Sequence, residues 1–152
     1  MKKKINIGLI GYGVVGKRRI KSLPNQFNLV ACSDPYIKLN KINLNKKNIY
    51  ITKNWKNLIN IKSLNAVIIC TTHNLHFTII KECIKKNLHI FVEKPASIED
   101  TQSKQIIKLL KKKKNIKIRV GFNHRYHPAF LLAKKIINHN VNWNWKCKNL
   151  QI

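Results

Sequence analysis

Three features of the chain predict an α/β fold with a doubly wound parallel sheet. Short apolar runs (residues 4–10, 27–33, 66–70, 89–92 and 117–121) alternate with segments of helical periodicity. The run 66–70, Ala-Val-Ile-Ile-Cys, is continuously apolar, as expected of a strand covered on both faces. Gly11-Tyr12-Gly13-Val14-Val15-Gly16 follows the first run and opens a helix. Strands alternating with helices at this spacing imply right-handed βαβ units.

Taken in order, residues 4–10 read as the first strand and 14–23 as the first helix, stopped by Pro24, which fits no helix interior. Residues 27–33 form the second strand and end at Asp34-Pro35. The Asn/Lys-rich stretch 36–48 reads as loop, 48–52 as a short strand and 55–61 as a short helix. After strand 66–70 comes helix 75–86, with Phe77, Ile80 and Ile84 on one stripe. Strand 89–92 precedes helix 100–112, whose Ile106, Leu109 and Leu110 face inward. Strand 117–121 and helix 128–138 complete the pattern.

The 152 residues suffice for one domain with a real core. The net charge of +26 suggests a nucleic-acid binder. Composition argues against that reading. Lys (27), Ile (24) and Asn (20) all have codons built only from A and T, so nucleotide bias inflates them together. Only Arg18, Arg19, Arg119 and Arg125 carry the fork favoured for reading bases. Nucleic acid is therefore an unlikely partner, although the charge favours encounter with anions, dinucleotides included. Cys32, Cys70, Cys83 and Cys147 form no C-x-x-C pair, and no Cys/His spacing marks a metal site. Free thiols and the lack of a long apolar span point to a cytoplasmic protein without a membrane partner.

Open parallel sheets bind ligands beyond the carboxyl ends of their strands, so chemistry is expected there. In the glycine stretch, Gly11 permits the tight turn, Gly13 lets backbone approach a pyrophosphate, and Gly16 lets the helix pack closely. Asp34 lies 18 positions after Gly16, where a carboxylate bonds adenosine ribose hydroxyls and repels a 2′-phosphate. The cofactor expected is NAD, with NADP kept open by the surrounding lysines. Glu93-Lys94-Pro95 either forms a surface salt bridge at a turn or pairs hydroxyl recognition with a proton-transfer group, since a lysine near a nicotinamide can polarise a carbinol oxygen. Thr71 and Thr72 offer ribose contacts or a helix cap, and His76 sits in the first helical turn near the crevice. Gly121-Phe122-Asn123-His124-Arg125-Tyr126-His127-Pro128 gathers polar and aromatic groups suited to a sugar-like substrate.

Four segments together resemble the glucose-fructose oxidoreductase / inositol dehydrogenase / MocA-type family: residues 11–16, 71–76, 92–96 and 121–129. Their order and spacing match its amino-terminal Rossmann domain, over roughly residues 4–138. The resemblance implies an NAD(P)-dependent dehydrogenase acting on a sugar, cyclitol or nucleotide-sugar carbinol or carbonyl. It implies Lys94 as the catalytic lysine and Glu93 at the nicotinamide ribose. Gly11, Tyr12, Gly13, Val14, Val15 and Gly16 would cradle the pyrophosphate, and Thr71, His76, Asn123 and Arg125 would line the crevice. Thr72 stands where the family often has Pro.

The expected organisation is a Rossmann domain (1–122), a linking segment (123–140) and an atypical tail (141–152). Family members continue into a second domain that supplies most substrate contacts, so the chain is expected to turn over substrate weakly. Trp143 and Trp145 have the single codon TGG, and each precedes a codon beginning with A (Asn144, Lys146). A one-base shift reads glycine at both places, as in the family's entry to the second domain. The expectation is a frameshifted truncation, to be decided by sequencing the downstream DNA. The alternative is a non-enzymatic dinucleotide-binding module or a basic nucleic-acid-binding protein.

Overall fold

The computed structural model describes residues 4–36 and 49–140. The loop expected at 36–48 falls almost wholly outside the described residues, as does the tail 141–152. Two units emerge, Met1–Val120 and Gly121–Ile152.

Among the described residues, the first unit holds six strands: β1 (Ile5–Ile10), β2 (Phe27–Ser33), β3 (Tyr50–Thr52), β4 (Ala66–Ile69), β5 (His89–Val92) and β6 (Ile118–Val120). They form one sheet in the order β3-β2-β1-β4-β5-β6, and every pairing is parallel. The order reverses at β1, which has β2 on one side and β4 on the other, so a crevice opens beyond its carboxyl end.

The central strands are apolar on both faces because helices cover both, while the edge strands β3 and β6 are only partly buried. Ile7, Leu9, Leu29, Cys32 and Ile68 pack with Ile20 and Leu23 at α1 (Val14–Lys21). The opposite face, with Ile10, Val67, Ile69, Ile90 and Val92, packs with α2 (Trp55–Leu58), α3 (His73–Lys85) and α4 (Asp100–Lys112). Burying a Leu or Ile side chain contributes about 1.5–3 kcal/mol, and most of this core consists of such residues.

Helix ends depart from the sequence expectation for local reasons. α1 stops at Lys21 rather than 23, with Ser22 as its cap, because Pro24 disfavours helical geometry at the residue before it. α2 is four residues long: Asn54 caps it through Lys56 N (3.0 Å), and i→i+3 turns at Asn60 and Ile61 replace the expected last turn. α3 begins two residues early because Thr72 takes the cap position. It ends in a Schellman turn: Asn87 adopts φ 57°, Leu88 N donates to Cys83 O and Asn87 N to Ile84 O. The buried stripe of α3 is His76, Ile79, Ile80, Cys83 and Ile84, with Phe77 only half-buried. α4 matches its expected span, with Ile106 buried and Leu109 and Leu110 packed on the same core.

The second unit, described by itself, contains an unexpected 3-10 turn (Asn123–Tyr126) and α5 (Pro128–Asn140). Pro128 opens α5, where its missing N–H has no helical partner to lose. Among the described residues no helix is long and apolar enough to cross a membrane.

Candidate functional site

At the carboxyl edge of β1 the chain turns through Gly11 into α1. Gly11 has φ +97°, and a Cβ there would lie 2.5 Å from Cys70 O at the end of β4. Only glycine satisfies both conditions. Gly11 N donates to Ser33 O (2.8 Å), which ties the turn to β2. Gly16 is buried one turn into α1, and a Cβ there would overlap the Gly11 carbonyl oxygen, so the helix start lies directly against the turn. Gly13 is different: a Cβ would meet nothing within 4 Å. The open space lies at the helix N-terminus, where the first N–H groups have no helical acceptor and no acidic residue occupies the first turn. Val14 (68% exposed) and Val15 leave that end accessible. A dinucleotide pyrophosphate fits these features: N–H donors, the positive dipole end and a side-chain-free approach.

Asp34 stands at the end of β2, half-buried. One carboxylate oxygen accepts from Tyr12 N (2.8 Å) and the other from Tyr36 N (2.9 Å). Each oxygen keeps a second acceptor direction for a ligand hydroxyl. The carboxylate is thereby fixed beside the glycine turn. Burial, with Asp34 adding to it, pushes the Cys32 thiol up to about 12. The Tyr12 phenol is also raised, first by burial and then by Cys32, and Lys17 Nζ lies 5.2 Å from the centre of its ring.

On the other side of β1, β4 and β5 end at Cys70-Thr71-Thr72 and Glu93-Lys94-Pro95. Glu93 N donates to Ile69 O (2.9 Å), which carries the ladder one residue beyond β5. Its carboxylate accepts from Arg19 Nε of α1 at 2.5 Å, with the side chains 15% and 27% exposed. Arg19 also lies over the Phe91 ring, 5.1 Å from its centroid. Burial pushes the Cys70 thiol up to about 12, with Glu93 raising it further and Arg19 opposing. Lys94 is exposed, and its peptide bond to Pro95 is cis. Thr71 is half-buried and Thr72 exposed.

His76 corrects the sequence expectation. Its side chain does not line the crevice, because the residue is 0% exposed. The ring spans two loops instead: Nδ1 lies 2.7 Å from Pro95 O and Nε2 3.0 Å from Thr71 O. It joins the loop after β4 to the loop carrying Lys94 from below. Asn123 and Arg125 belong to the second unit, in its 3-10 turn, with Arg125 N donating to Phe122 O.

Arg19 was missed from sequence. The signal was present: it sits three positions after Gly16, on the same side of α1, and is one of only four arginines.

The oxidoreductase family with an NAD-binding Rossmann fold, Gfo/Idh/MocA, matches residues 5–122. The chain belongs to this family. An uncharacterized oxidoreductase of Bacillus subtilis, YrbE, is 30% identical over 140 residues, covering 90% of this chain and 41% of YrbE. Myo-inositol 2-dehydrogenase of Thermotoga maritima is 27% identical over 142 residues, covering 90% of this chain and 42% of that protein. The crystal structure of scyllo-inositol dehydrogenase from Lactobacillus casei, with bound NAD(H) and scyllo-inositol, superposes with TM-score 0.77 at 21% identity, over 90% of this chain and 42% of the other. The chain thus spans about two fifths of the length of these relatives. It carries an oxidoreductase NAD-binding domain related to inositol and sugar dehydrogenases.

Proposed function

We propose that this domain binds NAD(H), in preference to NADP(H), for a dehydrogenase acting on a carbinol or carbonyl carbon of a sugar- or cyclitol-like substrate. The observation that carries the reading is Asp34, held on Tyr12 N and Tyr36 N beside the open helix start at Gly13. A fixed carboxylate accepts from ribose hydroxyls and opposes a 2′-phosphate. The first N–H groups of α1, at Val14, Val15 and Gly16, hold the pyrophosphate next to it.

Across the switch point, the nicotinamide half falls toward the ends of β4 and β5. Thr71 and Thr72 face its ribose, and Glu93 accepts from a hydroxyl there. The cofactor, when bound, supplies the hydride acceptor or donor. Lys94, exposed at the end of β5, moves the proton at the substrate oxygen and stabilises the charge that develops on it. The cyclitol class rests on the dehydrogenases named above. Residues 1–152 correspond to about two fifths of those proteins, and the proposal for these residues is cofactor binding.

Calorimetric titration of the 152-residue chain with NAD+ and NADP+ tests this. NAD+ is expected to bind more tightly, and Asp34→Ala to lower NAD+ affinity by about tenfold or more, the loss of at least one hydrogen bond to a charged group, while narrowing the gap to NADP+. Equal binding of both cofactors, unchanged in Asp34→Ala, would overturn the assignment.

A further inference from the structure

The Glu93–Arg19 pair has an electrostatic consequence at the nicotinamide end. The two oxidation states of a nicotinamide differ by one positive charge on the ring, and binding preference between them follows the net charge nearby. Glu93 alone would place a poorly solvated negative charge at the end of β5 and favour the oxidised, cationic ring. Arg19 reaches that carboxylate from α1, the helix that also faces the pyrophosphate, at 2.5 Å. Both partners are largely shielded from water, so their charges are screened less than surface charges. The guanidinium is always charged, and Phe91 beneath it limits its alternatives.

We propose that Arg19 is a positioning residue that holds Glu93 and cancels its charge, so that the site accepts NAD+ and NADH with comparable preference. The inference rests on the reading that the nicotinamide half lies over the ends of β4 and β5. Arg19 touches neither cofactor nor substrate in this account. It acts through Glu93.

The test is the ratio of the NADH dissociation constant to that of NAD+, measured by calorimetry on the 152-residue chain at pH 8, where carboxylates are ionised. In Arg19→Met the uncovered carboxylate favours NAD+, and the ratio rises roughly fivefold, the scale of one partly screened charge. In Glu93→Gln the uncovered guanidinium opposes NAD+, and the ratio falls by a similar factor. The double variant returns toward the wild-type ratio, and Arg19→Lys, which keeps the charge, stays near it. A structural role would weaken both cofactors together and leave the ratio still. Ratios in Arg19→Met and Glu93→Gln that stay within about twofold of wild type would refute the proposal. Should Arg19→Met fail to fold, the opposite shift in Glu93→Gln decides the matter. A wild-type chain that binds neither form would instead refute the cofactor reading on which the inference stands.

Discussion

Gly13→Val separates cofactor binding from folding. A Cβ at Gly13 meets nothing within 4 Å, and its φ of −72° suits any residue. The stability cost is confined to the cap preference of α1, which has no side-chain cap bond here: about 1 kcal/mol at most. The same volume is where a pyrophosphate must approach the helix N–H groups. An isopropyl group there denies the ligand about two charge-assisted hydrogen bonds, each worth roughly 1.5–3 kcal/mol. Affinity for NADH should fall by about a hundredfold or more. Gly11→Ala makes the contrast, since its Cβ would enter the Cys70 carbonyl at a left-handed φ. That strain and overpacking should cost about 3 kcal/mol and lower stability and binding together. NADH fluorescence titration and thermal unfolding by circular dichroism, run on both variants, give the answer. Near wild-type NADH affinity in a folded Gly13→Val chain would show that the ligand does not use this approach.

Two further outcomes are expected. His76→Ala removes a fully buried ring and leaves the carbonyls of Thr71 and Pro95 without it; about 3 kcal/mol, or a drop in melting temperature of roughly 10 °C, should result. A negligible shift in the melting curve would mean that the two loops are held by other contacts. The thiols of Cys32, Cys70 and Cys83 are each pushed from 9.0 to about 12, chiefly by burial. The folded chain therefore keeps protons that the unfolded chain releases as pH rises. Stability is intact below pH 9 and declines toward 12, with a limiting slope of about 1.4 kcal/mol per pH unit for each thiol. Urea unfolding between pH 8 and 10 should show this decline, and in a Cys147→Ser chain disulfide-reagent labelling of these three thiols at pH 8 should be slow until urea is added. Rapid labelling of all three in the native Cys147→Ser chain would contradict the burial.

The strands and their parallel, helix-covered sheet were legible because parallel strands covered on both faces appear as largely apolar runs. The spans of β2, β5 and α4 coincide with their runs. Boundaries shifted where a residue's local backbone geometry decides them, as where extended Thr72 precedes α3 or Asn87 closes it at φ 57°. The two strand-end acids were legible from spacing, but not what holds them. Tyr12 N and Arg19 reach Asp34 and Glu93 across 22 and 74 positions, and local periodicity carries no such information. His76 was misplaced because a histidine near a helix start reads as solvent-facing. Its burial follows from two backbone carbonyls converging on it from separate loops.

The five acids also weigh against a nucleic-acid surface more directly than composition does. Glu82 and Asp100 form exposed pairs with Lys85 and Lys104 on their own helices, and Glu99 accepts from nearby Thr101. Asp34 and Glu93 are the two that lie at strand ends, one on each side of the switch point, and both are engaged by groups from the turn and helix after β1. A polyanion laid along that edge would meet two carboxylates set where its phosphates would run. In the proposed pose a dinucleotide would meet them with ribose hydroxyls, its phosphates facing the helix start between. In that pose the same charges that would repel a polyanion would orient a dinucleotide. The proposed reading of this edge therefore rests on position rather than on the net charge of +26.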